Sequence, residues 1–181
     1  MKNWNALIQQ RLNEAQQNFE AVKRECAASI GQAAELLTSA VNSGKKILIC
    51  GNGGSAADSQ HMAAELIVRY TKNRRALAAI ALTTDTSTLT ACSNDFSYEQ
   101  IFSRQVEALG QRDDVLVAIS TSGNSKNILL AIDMARAKGL KVVGLSGKSA
   151  VKMAEHKLCD VLIKIPSSHT QRIQQGQIMS I

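Results

Sequence analysis

The stretch ILICGNGGSAADSQHMAAE, residues 47–65, decides the fold. Its first part is a short run of apolar residues, which is typical of a buried strand, and its last part has the apolar spacing of a helix. A turn rich in glycine, GNGGS at residues 51–55, joins the two parts. A buried strand that leads through a short turn into a helix predicts one β–α unit of a parallel sheet.

The same alternation continues to the end of the chain, with strands expected at 46–50, 76–82, 114–120, 141–146 and 160–165. Short, continuous apolar runs separated by helices are typical of a parallel sheet that is covered on both faces. We therefore predict an α/β fold, a three-layer αβα sandwich around a five-stranded parallel sheet. The polar segment 82–99, after the second strand, is expected to be a loop.

The segment before the first strand is predicted to be helical. Residues 4–43 contain no proline, and their apolar residues recur at the helical spacing. This pattern fits one bent helix or two consecutive helices that meet at Gly31, and we expect an N-terminal helical hairpin. The whole chain, 1–181, is then a single domain, with the N-terminal helices over 1–43 and the α/β core over 44–181.

Composition argues against several classes of protein. Hydrophobic residues make up 45% of the chain and there is one proline, which favours a compact fold over disorder. No apolar run reaches the roughly 18 residues that a membrane span needs, and the N-terminus is too polar for a signal peptide. We expect a cytoplasmic protein that does not bind membranes. Its four scattered cysteines are expected to be reduced: Cys26, Cys50, Cys92 and Cys159.

The net charge of +6 raises the question of an anionic partner. The basic residues are spread along the chain, and only one Trp, two Tyr and three Phe are present to stack on bases. Nucleic acid is therefore not an expected partner. An anionic metabolite drawn in by a basic environment, or simply a solvated basic surface, explains the charge better.

Two loops at the predicted carboxyl edge of the sheet have the composition of phosphate-binding loops. The glycine turn (residues 51–55) precedes a helix that Ser55 can cap, and the serine loop STSGNS (residues 120–125) precedes another. Gly51-x-Gly53-x-x-Ala56 also matches a loose dinucleotide fingerprint, but the acidic residue expected about 20 positions later is absent. Each loop alone also fits a purely structural turn, whereas two at one edge favour an anion site.

His61 and Glu65 lie four residues apart on the helix that follows the glycine turn. This spacing places both side chains on one helix face, where they suit a divalent metal, especially zinc, or an acid–base pair. A surface His–Glu pair is the plainer alternative, and the preceding anion loop favours the functional one. Asn94 and Asp95 fit either contacts to sugar hydroxyls or ordinary turn and cap roles.

Five motifs occur in an order that resembles the phosphoheptose isomerases of the sugar-isomerase (SIS) domain family: GNGGSAADSQH, LTTDTS, NDFSYEQIFSRQVEALG, STSGNSKNI and RIQ. The resemblance covers essentially the whole chain. It implies the SIS fold and the conversion of sedoheptulose 7-phosphate to D-glycero-D-manno-heptose 7-phosphate, the first step towards the heptose of bacterial lipopolysaccharide. It also implies a homotetramer with active sites between subunits, and one zinc ion in each site.

The resemblance also assigns roles to residues that match the family's motifs. It implies that His61, Glu65 and Gln174 are metal ligands and that Glu65 is also the base that transfers the proton. Ten residues would contact the sugar phosphate: Asn52, Gly53, Gly54, Asn94, Asp95, Ser120, Thr121, Ser122, Ser125 and Gln174.

The chain departs from the family in its last helix. The family pattern is R-I-Q-E-x-H-x-x-x-x-H, in which the second His is a zinc ligand and the partner acid–base group. Here the stretch reads RIQQGQIMSI, with Gln175 in place of the Glu and Gln177 in place of the first His. The second His would fall at position 182, one beyond Ile181. We expect the pattern to continue there, and the isomerase assignment refers to the intact protein.

Two other functions stay open from the sequence. Some relatives of this fold are non-catalytic and bind a partner such as the bacterial replication initiator, but these have lost the His and Glu that are His61 and Glu65 here. Another possibility is a sugar-phosphate isomerase or sensor with a different substrate, such as a hexose phosphate. No residue in the loops indicates how many carbons the sugar substrate has.

Overall fold

A computed structural model describes residues 3–149, 151–155 and 158–180. Helices and strands alternate after one long N-terminal helix, and a short 3-10 turn at Tyr98–Gln100 precedes α4. The strands are β1 Ile47–Gly51, β2 Ala79–Ala81, β3 Val115–Ser120, β4 Lys141–Gly147 and β5 Val161–Ile165. The helices are α1 Trp4–Asn42, α2 Gly54–Ile67, α3 Thr86–Asp95, α4 Ile101–Leu109, α5 Lys126–Ala137, α6 Val151–Glu155 and α7 Thr170–Ile178.

The five strands form one parallel sheet in the order β2-β1-β3-β4-β5. Helices cover both faces of this sheet. Side chains of α1, α2 and α7 share one apolar cluster with one face, and side chains of α3 to α6 share a second cluster with the other. Both faces of β1 and β3 are buried, which explains why these strands are continuous apolar runs. The predicted α/β sandwich with a five-stranded parallel sheet is confirmed.

The strand order determines where a ligand can bind. The chain passes from β1 to β2 on one side and then to β3 on the other side of β1, so the winding direction changes between β1 and β3. At such a switch point the loops after the two strands separate and leave a crevice at the carboxyl edge. These loops are the glycine turn and the serine loop.

The predicted N-terminal hairpin is wrong. α1 is a single helix of 39 residues that continues through Gly31. A helical glycine costs only about 1 kcal/mol relative to alanine, and packing on either side outweighs that cost. One stripe of α1 is buried against the sheet over most of its length, including Val22, Cys26, Ala33 and Ala40.

Replacing Gly31 with Ala is expected to stabilise the protein. A Cβ atom at Gly31 has no heavy atom within 4 Å, so the new methyl group meets no obstacle. Alanine in a helix is favoured over glycine by roughly 0.5–1 kcal/mol, because the unfolded chain loses less entropy on folding. Urea unfolding of the two proteins measures the difference. A G31A variant of equal or lower stability would contradict this account.

The expected loop at 82–99 is also wrong, because it contains α3. The side chain of Asp85 caps this helix and accepts a hydrogen bond of 3.0 Å from the backbone N–H of Thr88. Leu89 and Cys92 pack into the apolar cluster on that face of the sheet. The segment is rich in hydroxyl residues and has little helical periodicity, so the cap and this burial stabilise a helix that its sequence pattern does not indicate.

All four cysteines lie in the described part of the chain and are free. Among the described residues, no helix combines the length and the apolar character that crossing a membrane requires.

Candidate active site

The glycine turn presents the start of α2 without a side chain in front of it. Gly53 occupies the N-cap position with φ of 57°, and no side chain caps the helix, so the predicted capping role of Ser55 is wrong. A Cβ atom at Gly51 would lie 2.5 Å from the carbonyl oxygen of Ser55, which makes glycine necessary for this close approach. The positive end of the helix dipole therefore faces the crevice, as anion sites require.

The serine loop brings several hydroxyl groups to the start of α5. The Oγ atoms of Ser120 and Ser125 lie 3.1 Å apart, and Ser120 Oγ also accepts from the N–H of Gly123 at 3.2 Å. Ser122 is exposed, and its Oγ accepts from the N–H of Asn124. Ser125 is the N-cap residue of α5, and its side chain makes no cap hydrogen bond. These hydroxyls and the helix start together suit a phosphoryl group.

The two loops are joined by the side chain of Asn52, which the sequence analysis singled out, and by those of Asn127 and Tyr98, which it did not. Asn52 in the glycine turn and Asn127 in the first turn of α5 exchange two amide hydrogen bonds, each of 2.9 Å. The hydroxyl of Tyr98 donates to Asn52 Oδ1 at 3.0 Å. Asn127 lies in the motif STSGNSKNI, so the resemblance pointed to the segment but not to this contact.

Gln174 of α7 reaches the same crevice from the far end of the chain. A Cβ atom at Gly54 would overlap the side-chain amide of Gln174, so this amide lies directly against the start of α2. His61 and Glu65 lie further along α2, with His61 exposed and Glu65 half-buried. The structure thus places Gln174 beside the helix that carries the other two predicted metal ligands.

Asp58 lies beside two of the predicted ligands, Gln174 and His61, and the sequence analysis did not single it out. It is 9% exposed, and its Oδ2 atom has no hydrogen-bond partner among the described residues. Burial raises the pKa of Asp58, while a hydrogen bond from Gln174 and the charge of His61 act in the opposite direction. Its position one turn before His61, on the same face of α2, is the sequence signal that could have identified it.

Asn94 and Asp95 are less closely connected to the site. Both are exposed at the end of α3, where Asn94 Nδ2 donates to Asp95 Oδ1 at 2.9 Å. In the described part of the chain, no hydrogen bond joins either residue to another predicted site residue. Their predicted contacts with sugar hydroxyls stay predictions.

The three side chains that the resemblance assigns to a metal offer donor atoms that zinc accepts. No group of three His, Cys, Asp or Glu side chains suited to a metal occurs in the residues described, and the third ligand that the resemblance implies, Gln174, is of another type. The set His61, Glu65 and Gln174 offers an imidazole nitrogen, a carboxylate and an amide oxygen, and zinc accepts nitrogen and oxygen ligands. The unpartnered carboxylate oxygen of Asp58, beside His61 and Gln174, supplies negative charge that favours a cation.

Comparison with known proteins shows the family to which this chain belongs. Residues 11–147 match the family model of the SIS domain. The chain belongs to the SIS domain family. Within this family it is 55% identical to a phosphoheptose isomerase from Rhodospirillum rubrum over 154 residues, which cover 85% of this chain and 81% of that protein. It is 50% identical to a phosphoheptose isomerase from Nitratiruptor over 172 residues, covering 95% and 91% of the two chains.

Solved structures of SIS-domain proteins agree with the fold. The phosphoheptose isomerase of Neisseria gonorrhoeae superposes with a TM-score of 0.92 at 40% identity, covering 98% of this chain and 94% of that one. This SIS-domain chain is therefore a member of the phosphoheptose isomerase group, as its motifs predict. The agreement extends along nearly the full length of both chains.

Replacing Gly54 with Ala is expected to lower kcat/KM about tenfold or more with little loss of stability. The added methyl group displaces the flexible end of Gln174 rather than backbone, so the protein folds while the predicted ligand leaves its position. Steady-state kinetics and thermal unfolding measure the two effects. G31A, which adds the same methyl group in open space, is the control. Unchanged kinetics for G54A would remove Gln174 from the site.

Proposed function

We propose that this SIS-domain chain is an isomerase that converts sedoheptulose 7-phosphate to D-glycero-D-manno-heptose 7-phosphate, the first step of lipopolysaccharide heptose biosynthesis. The observation that carries this proposal is the meeting of Gln174 and two phosphate-type loops at the start of α2, the helix that carries Glu65, in a chain that is 55% identical to a phosphoheptose isomerase. Relatives with that name support this substrate over a hexose phosphate and over a non-catalytic binding role.

The proposed reaction is a proton transfer between neighbouring carbons of a sugar phosphate. The serine loop and the start of α5 bind the phosphate end of the substrate and fix its register along the crevice. Glu65 then removes a proton from one carbon and returns it to the next, through an enediol. The reaction also needs an acid for the sugar oxygens and a group that stabilises the negative charge on them.

We assign the charge-stabilising role to a zinc ion held by His61, Glu65 and Gln174. When bound, zinc supplies a Lewis acid that stabilises the oxyanion. Isothermal titration with zinc is expected to show one site for each subunit in the wild-type protein and at least about tenfold weaker binding in H61A, because an imidazole ligand is lost. Equal zinc affinity of the two proteins would contradict this assignment.

We also propose a homotetramer with active sites between subunits. The N-terminal half of α1 supports this assembly, because it exposes a stripe of large apolar side chains that a monomer would leave in water: Trp4, Leu7, Ile8, Leu12 and Phe19. Sedimentation velocity of the wild-type protein should give the mass of four subunits. A monomer at micromolar concentration would contradict the proposal.

The cellular location follows from the proposed chemistry. A phosphorylated sugar as substrate and four free cysteines both suit the reducing cytoplasm, where we place the reaction.

Turnover of sedoheptulose 7-phosphate by the full-length protein tests the proposed function. We expect turnover that a chelator abolishes and that added zinc restores. Glucose 6-phosphate and fructose 6-phosphate, assayed in parallel, test the substrate, and equal rates for six-carbon and seven-carbon sugars would refute heptose specificity. A folded protein that lacks turnover under every condition, yet binds a replication initiator tightly, would favour the binding role instead.

A further inference from the structure

We propose that Asn127 is a positioning residue, which holds the glycine turn against the serine loop and thereby sets the affinity of the crevice for the phosphate end of the substrate. The inference rests on the proposed function, since it concerns how that site binds its substrate. Asn127 lies outside the set of residues that the motifs assigned to substrate or metal.

The contact between Asn127 and Asn52 is reciprocal. Asn127 Nδ2 donates to Asn52 Oδ1, and Asn52 Nδ2 donates to Asn127 Oδ1, both at 2.9 Å. Asn127 is 3% exposed, so its amide has lost its water and depends on this partner. Asn127 belongs to the first turn of α5, whose neighbouring residues Ile128 and Ala131 are fully buried. The packing of α5 thus holds Asn127, the hydrogen-bond partner of Asn52, in place.

Tyr98 completes the arrangement. Its hydroxyl donates a second hydrogen bond to Asn52 Oδ1, at 3.0 Å. A carbonyl oxygen has two lone pairs, so Asn52 Oδ1 has no acceptor capacity left for a ligand. The side chain of Asn52 therefore holds the turn in place, with its Oδ1 atom occupied by donors of the protein itself.

The glycine turn needs such support from outside. Three of its five residues are glycine, which loses the most conformational freedom on folding, and no side chain caps the helix that follows. If the amide pair is lost, the glycine turn samples other conformations. Anion binding must then order the turn, and the entropy lost in doing so lowers the affinity for the anion. The proton-transferring Glu65 lies three turns further along α2, so binding suffers more than the chemical step.

The test compares wild type, N127A, Y98F, N52A and the N52A/N127A double variant. Isothermal titration with inorganic phosphate gives the anion affinity, and steady-state kinetics with sedoheptulose 7-phosphate gives KM and kcat. N127A is expected to raise both the phosphate Kd and KM about tenfold, with kcat changed less than about threefold. Y98F should raise them about twofold to threefold, because Tyr98 is largely exposed and one of the two donors remains.

The double variant separates positioning from direct contact. If the two amides act as a pair, N52A/N127A binds phosphate within about twofold of the weaker single variant, because the second substitution removes a contact that is already lost. Additive losses would show that Asn52 binds the anion by itself and would overturn the inference. N42A is the matched control, since this exposed asparagine ends α1 at the opposite edge of the sheet.

Folding is monitored by thermal unfolding, so that a folded N127A with unchanged phosphate Kd and KM overturns the proposal. If N127A does not fold, Y98F decides, because the loss of one exposed hydroxyl leaves the core intact: a rise in Kd supports the inference and an unchanged Kd refutes it. The wild type could bind phosphate, and N127A bind it more weakly, while the wild type fails to turn over the sugar. That result would refute the proposed function and leave the role of Asn127 supported.

Discussion

Glu65→Gln is expected to lower kcat for sedoheptulose 7-phosphate by about 10²- to 10⁴-fold, the usual contribution of a positioned general base. Glutamine keeps the shape of the side chain but cannot take up a proton at the reacting carbon. The fold should be unaffected, because Glu65 is half-buried and no ion pair of its side chain is found among the described residues. Its backbone carbonyl still accepts a hydrogen bond from Arg74.

The experiment must separate the role of Glu65 as base from its role as metal ligand. Kinetics at saturating zinc, together with the zinc Kd of each protein, achieve this, since loss of metal can be titrated back whereas loss of the base cannot. E35Q makes the same chemical change on an exposed position of α1 and serves as the control. A residual kcat within tenfold of wild type, with zinc bound, would remove Glu65 from the role of base.

Asp114→Ala is expected to lower the free energy of unfolding by about 3 kcal/mol, the lower end of what breaking a buried ion pair costs. The carboxylate of Asp114 forms an ion pair with the ammonium group of Lys46 and is 2% exposed. It also accepts from the backbone N–H groups of Lys46 at 3.0 Å and Gln111 at 2.8 Å. Alanine leaves one partly buried cation and two backbone donors without their acceptor at the start of β1 and β3.

Denaturant unfolding of D114A and of D133A, an exposed aspartate on α5, measures this effect. The control should stay within about 0.5 kcal/mol of wild type, as surface substitutions usually do. A loss below about 1 kcal/mol for D114A would show that the Lys46 pair contributes little to stability.

The stability that Asp114 provides should also depend on pH. Burial by itself raises the pKa of Asp114, but the hydrogen bonds from Lys46 and Gln111 outweigh it and hold the pKa below its usual value. A carboxylate with a lowered pKa in the folded state stabilises the protein above its unfolded pKa, near 3.9, and this contribution is lost as the pH falls through the folded pKa. The stability difference between wild type and D114N should therefore shrink below about pH 4. A stability difference that stays constant with pH would contradict the lowered pKa of Asp114.

Several features of this protein follow from local patterns alone. The central strands β1 and β3 are apolar on both faces, so their continuous apolar runs predict a parallel sheet. Gly53 and the serine loop were predicted as ligand contacts because glycine and hydroxyl residues before a helix have a local physical reason to bind anions. The motif order was sufficient to predict the family, and relatives at 50–55% identity confirm it.

Other features were decided only by the tertiary structure. Whether Gly31 breaks α1 depends on burial along the sheet, and α3 depends on its cap and on packing that no periodicity shows. The contacts of Gln174 with Gly54 and of Asn127 with Asn52 join residues far apart in the chain, and they form because the strand order β2-β1-β3-β4-β5 brings those loops to one edge. A sequence pattern records which side chains are buried, whereas their partners follow from how the strands are ordered.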